Sequence, residues 1–203
     1  MSNPWLSIPL EDYEGHMGAD GVRQLAALAV LFQRALDLCR PKSVAILGIA
    51  GGNGLEHIDP AVTSRVVGID INASYLEEVR RRFGERVELH CVDLAGGDLH
   101  VTPVDLVHAA LIFEHTGLDR ALDNAFTLIT PGGKMSVVIQ LPAGEELNVS
   151  PTPYTSMQKL KESFGVVDAS RLRRRLAERG FRLEHEEDRA LPGGKGFRLM
   201  LFA

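Results

Sequence analysis

Apolar and polar positions along the chain fall into two alternating rhythms. Short apolar runs at Val44 to Leu47, Arg65 to Asp70, Val87 to Val92, Val104 to Ala109 and Lys134 to Leu141 are rich in β-branched residues and bounded by turn formers, so they read as strands. Between them lie stretches with helical spacing. From Asp20, a possible cap, Leu25, Leu28, Leu31, Phe32, Ala35 and Leu36 trace one apolar stripe, and Pro41 stops it. Asn72 and Gly84 bracket a second helix, 118 to 129 a third that ends at Pro131 and Gly132, and 169 to 179 a fourth. The link 94 to 103 is too short and too rich in glycine for a crossover helix. Two further strand-like runs, 181 to 188 and 196 to 203, are joined by ALPGGK and should pair as a hairpin. Residues 1 to 19, with Pro4 and Pro9, are expected to be irregular. Residues 142 to 165, with three prolines, interrupt the rhythm, and read either as a binding loop that orders over substrate or as a plain surface excursion.

Strands alternating with helices predict an α/β fold, a doubly wound parallel sheet that this chain finishes with an antiparallel hairpin. With 203 residues, a single domain can bury one large core. The formal charge of -5 argues against a general nucleic-acid binder. Cys39 and Cys91 lie far apart without metal-ligand spacing, which suggests reduced, structural thiols. No histidine cluster suggests a metal, and His57 and His108 read as structural. The first residues lack the pattern of a secretory signal and no apolar run approaches a membrane span, so a cytoplasmic location is expected. The basic run Arg171 to Arg175 reads as a solvated helix face.

The chemistry concentrates at Ser43 to Asp59, SVAILGIAGGNGLEHID. A strand runs straight into glycines at 48, 51, 52 and 54 and then into a helix-like start. Such a turn lies at the carboxyl end of a strand, where α/β sheets bind ligands, and its amides are expected to face the cleft. An adenosine-containing cofactor is the expected occupant.

Taken from about residue 20 to 203, the order of elements resembles the class I methyltransferases that use S-adenosylmethionine, whose seven-stranded sheet inserts its last strand antiparallel. Aligned on the first strand, Gly48 and Gly52 match the outer glycines of the family's motif, Ala50 stands at the middle one, and Asn53 and Gly54 continue it. The acid that precedes the motif in relatives, which helps anchor the methionine ammonium, is replaced by Ile46. Asp70 matches the acid that takes both ribose hydroxyls, and Asp93 the acid that accepts from the adenine amino group, with the Leu94 amide donating to the ring. The resemblance thus implies a cofactor site of Gly48, Ile49, Ala50, Gly51, Gly52, Asn53, Asp70, Ile71, Asp93, Leu94, Ala110 and Leu111, and no metal. Valine at position 52 is expected to fill the ligand's space and leave the fold intact.

Rival readings differ at identifiable residues. A nicotinamide dehydrogenase motif started at Gly52 and Gly54 would put His57 where the helix must pack closely. A fold that binds the cofactor without methylating anything is a second alternative, favoured by Ile46, and a protein methyltransferase a third. The segment HAALIFEH at 108 to 115 lacks the proline pair of the nucleic-acid amino methyltransferases. A small-molecule acceptor is therefore expected, with no nucleic-acid or membrane partner. Glu114 and His115, just past the fourth strand, are the candidate catalytic groups, and a histidine that merely caps the next helix is the alternative reading of His115. Tyr13 and His16 stand where relatives cover the cofactor.

Overall fold

The computed structural model describes residues 3–142 and 149–203. Seven strands form one sheet: β1 (Ser43–Leu47), β2 (Arg65–Asp70), β3 (Glu88–Cys91), β4 (Val104–Ala110), β5 (Ile129–Gln140), β6 (Leu183–Ala190) and β7 (Gly196–Phe202). Their order is β3-β2-β1-β4-β5-β7-β6. The first five are parallel to their neighbours, while β7 runs antiparallel between β5 and β6. The chain therefore has the sheet that the resemblance implied.

Side chains alternate across each strand, so a sheet with helices on both faces needs apolar residues at successive positions. On β1, Ala45 and Leu47 enter one core cluster with Leu122, Ala125, Leu172 and Leu176, from α5 (Asp119–Thr127) and α6 (Ala169–Glu178). Val44 and Ile46 enter another with Phe32, Leu36, Leu76 and Val79, from α2 (Gln24–Cys39) and α3 (Ala73–Phe83). His108 on β4 is buried against the Phe32 ring, 4.6 Å between centroids, with Nδ1 3.1 Å from Ser136 Oγ. Burial lowers its pKa to about 3, so it is a neutral core residue. Among the described residues no helix is long and apolar enough to cross a membrane. Cys39 and Cys91 are both free, and Cys91 is exposed.

Three local expectations are corrected. The N-terminal stretch is ordered, with a 3-10 turn at Pro4–Ser7 and α1 (Leu10–Gly18), and it docks by side chain. Tyr75 Oη donates to the Ile8 carbonyl at 2.8 Å and Asn72 Nδ2 to that of Trp5 at 2.9 Å. Gly15 in α1 leaves space that the Tyr154 ring occupies. Second, α2 begins at Gln24 without a side-chain cap, because Ala19 accepts from both Val22 and Arg23 in a preceding turn. Third, no α-helix follows the glycine turn, where Leu55–His57 make one 3-10 turn. Pro60 lies too close for more, since proline disfavours helix at the residue before it. The segment after β4 also forms a short α4 (Phe113–Thr116).

Candidate active site

The five parallel strands end on one edge of the sheet, and because β7 runs backwards its start lies on that edge too. A cavity of about 1020 Å³, its open mouth included, runs along it. Its walls include Asp70 at the end of β2, Asp93 and Leu94 after β3, Gly48 after β1, Ala110 and Leu111 at β4, Gln140 at β5 and Lys195 before β7. Trp5, Tyr13 and His16 from the N-terminal segment and Met157, Leu160 and Phe164 close it from above. Of the 142–165 connection, residues 143–148 lie outside the described residues, and Thr155–Glu162 form a 3-10 helix. Ser156 Oγ donates to Asp12 Oδ2 at 2.6 Å, which joins that helix to α1.

Asp70 is 8% exposed. Oδ2 accepts from the Ala50 amide and Oδ1 from the Asn72 amide, each at 2.9 Å. Burial raises its pKa, and backbone donors oppose that shift. The Ile71 amide is a third backbone donor to this carboxylate, which borders the cavity. The Tyr13 phenol is pushed up by burial and by the Asp70 charge, which places the two groups near each other.

The glycine turn works differently from the expectation. Its φ angles are positive at Gly48, Ala50, Gly52 and Gly54. The Gly48, Ile49 and Gly52 amides donate to Ile69 and Ile49 carbonyls, and the Ala50 amide donates to Asp70, so these donors are used inside the fold. Only Gly48 and Ala50 of the turn border the cavity. Ile49, Gly51, Gly52 and Asn53 do not. Ile49 packs into the core, and Asn53 Nδ2 donates to the Leu25 carbonyl at 3.0 Å. At Gly51 an added Cβ would strike the Glu14 carboxylate, which Arg82 holds through Nη1 and Nη2 at 2.5 and 3.0 Å. The expectation that valine at position 52 would block the ligand is also corrected, since a Cβ there meets the Phe83 ring at 2.6 Å, in the core. Ile46 is a core residue too, whereas Gly48 opens to the cavity.

Ile71, Asp93, Leu94, Ala110, Leu111 and His115 border the cavity; Glu114 does not. Glu114 is 2% exposed, with Oε1 accepting from the Gln140 amide at 2.8 Å and Oε2 without a partner. It clamps α4 to the end of β5. Burial lifts its pKa to about 7. The unfolded value is about 4.3, so the folded state holds this proton more tightly, and the stability it contributes is full below that value and lost as pH rises through about 7. Glu114→Gln keeps the accepting oxygen and removes the titration. It is expected to abolish a loss of about 3 kcal/mol between pH 4.5 and 8, read by urea unfolding at each pH. An unchanged slope would show that Glu114 does not titrate in this window. His115 is lowered to about 4 by burial, with Nδ1 unpartnered and its ring edge-on to Trp5 and Phe164 at 4.9 and 5.5 Å.

One polar group escaped sequence reading. Gln24, at the start of α2, is 5% exposed and borders the cavity, and among the described residues its amide has no hydrogen-bond partner. A glutamine inside an apolar helical pattern gives no signal of its own. Among the described residues no group of three His, Cys, Asp or Glu stands close enough to hold a metal.

Comparison with known proteins agrees with this geometry. Residues 46–135 match a family model described as a methyltransferase domain. No curated protein sequence matches the chain. Among solved structures, magnesium protoporphyrin IX methyltransferase (ChlM) from Synechocystis PCC 6803 with bound SAH is similar at a TM-score of 0.70 and 14% identity, covering 98% of this chain and 94% of that one. The N-methyltransferase NodS from Bradyrhizobium japonicum WM9 is similar at 0.64 and 14% identity, over 90% and 97%. The [4+2]-cyclase SpnF is similar at 0.66 and 15% identity, over 91% and 83%.

Proposed function

We propose that this chain, which has the class I methyltransferase fold and a methyltransferase domain over residues 46–135, transfers a methyl group from S-adenosylmethionine to a small molecule. The observation that carries the reading is the pair of acids on adjacent strands. Asp70 and Asp93 stand at the ends of β2 and β3 on one cavity wall, with Gly48 beside them on β1. The residues fit the group. Asp70, a carboxylate fixed by backbone amides at the cavity wall, suits a ribose diol, and Asp93 and Leu94 stand one strand further along for a base. Gln24 and the uncapped first turn of α2 supply donors for a carboxylate, and Gly48 and Ala110 supply wall without bulk. No acid is needed at position 46, which faces the core.

The cofactor supplies an activated sulfonium methyl. What this chain adds is alignment and exclusion of water, since displacement at such a carbon needs an oriented nucleophile and a dry site. Trp5, Tyr13 and the 155–162 helix, through Met157 and Leu160, cover the cavity. ChlM, by its printed name, acts on a porphyrin, which supports a small acceptor, while NodS is named only as an N-methyltransferase. SpnF carries a second reading, because a cyclase on this fold shows that the scaffold does not guarantee methyl transfer.

Label transfer from methyl-tritiated S-adenosylmethionine into a cell-extract metabolite pool is expected to give a labelled product under a few hundred daltons. Cofactor binding in calorimetry with no label transferred to any fraction would favour the non-methylating reading.

A further inference from the structure

We infer that His16, oriented by Thr152 and standing beside Lys195, receives the proton of a ring hydroxyl on the acceptor, so that the acceptor is phenol-like and is methylated on oxygen. This rests on the methyl-transfer reading above and adds a base and a substrate class to it.

The cavity has two chemically different ends. Asp93 follows β3 and Lys195 precedes β7, five strand steps apart in the sheet, or roughly 24 Å at about 4.8 Å per strand. The acidic end suits a nucleoside. The Lys195 end lies three steps beyond β1, roughly 14 Å, and remains for the acceptor. Lys195 is 6% exposed and His16 3% exposed, yet both border the cavity. His16 Nδ1 lies 2.8 Å from Thr152 Oγ1. With Nδ1–H donating to that hydroxyl, Nε2 keeps its lone pair. A base held by a third group is the arrangement that proton abstraction requires. His115 lacks such an orienter, as its Nδ1 is buried without a partner.

The charges around His16 keep it neutral. Burial and then Lys195 lower its pKa. On its own helix, Glu14 is paired with Arg82 and Asp12 accepts from Ser156, so neither is spent on the imidazole. A neutral imidazole beside an ammonium is a poor partner for an amine, which would arrive cationic, and a good one for a hydroxyl. The O–H bond breaks, the proton goes to His16 Nε2, and the electron pair stays on oxygen, where the Lys195 charge favours it. That pair forms the bond to the methyl carbon, the carbon–sulfur pair stays on sulfur, and the imidazolium then loses its proton to solvent.

The probe is 4-nitrophenol, whose phenolate absorbs visible light, added to protein saturated with S-adenosylhomocysteine at pH 6. Wild type is expected to raise the phenolate-to-phenol ratio of bound probe about tenfold over free probe, one pH unit in its acidity. His16→Gln and Lys195→Met are each expected to lose that band while calorimetry shows S-adenosylhomocysteine still bound. In the ligand-free protein, two-bond proton–nitrogen NMR is expected to show His16 neutral at pH 7 with the proton on Nδ1, and Thr152→Val to mix the tautomers. Bound S-adenosylhomocysteine with a probe that stays neutral, or His16 protonated on Nε2, would overturn the inference alone. Failure of S-adenosylhomocysteine to bind would instead remove the reading beneath it.

Discussion

Asp70→Ala is expected to weaken S-adenosylhomocysteine binding by about 4 kcal/mol, near a thousandfold in Kd. Backbone amides hold both Asp70 oxygens, at 2.9 Å from Ala50 and from Asn72, at the cavity wall where a ribose diol would meet them. Two charge-assisted bonds to a diol are therefore lost together, each worth roughly 1.5–3 kcal/mol. The substitution also orphans the Ala50 and Asn72 amides, which destabilises the turn by roughly 1–3 kcal/mol per buried donor. Asp70→Asn separates the two effects, because its one oxygen and one amino group keep a single acceptor. Calorimetry on both variants gives the affinity, and thermal unfolding of the ligand-free proteins gives the structural share. An Asp70→Ala affinity equal to wild type would take Asp70 out of the site.

Gly52→Val is expected to cost about 4 kcal/mol of folding stability, through the core rather than through the ligand. The backbone there has φ +85°, which a β-branched residue adopts with roughly 1–2 kcal/mol of strain. Its Cβ would lie 2.6 Å from the Phe83 ring and 2.9 Å from Leu55 Cδ1, and overpacking of that kind costs roughly another 1–3 kcal/mol. Gly180→Val is the control, since its φ of +89° is close to that of Gly52 with nothing within 4 Å of an added Cβ, so it carries a positive φ without the collision. Urea midpoints are expected to fall for both and much further for Gly52→Val. A folded Gly52→Val of wild-type stability that no longer binds S-adenosylhomocysteine would restore the ligand-contact reading of this glycine.

The same turn shows how far a sequence can be read. Gly48, Ala50, Asp70, Ile71, Asp93, Leu94, Ala110 and Leu111 border the cavity because strand-end position decides which residues reach that edge of an α/β sheet. Gly51 and Gly52 lie off the cavity for a physical reason. A glycine that makes room for a ligand and one that makes room for Phe83 or for the Glu14–Arg82 pair look alike in one dimension. Ile46 looked like a missing acid until its side chain was found in the core with Phe32. Glu114 was singled out beside the methyl group, but its carboxyl turns to the Gln140 amide.

By itself the sequence determined the strands and helices, their alternation, the closing hairpin and the two acids, because period and turn chemistry are local properties of the chain. The α1 helix, the Gln24 amide and the meeting of His16 with Thr152 and Lys195 were decided only in three dimensions. The segments involved are 136 residues apart in the case of His16 and Thr152, and a short polar helix with two glycines forms only where Tyr75, Asn72 and Tyr154 receive it.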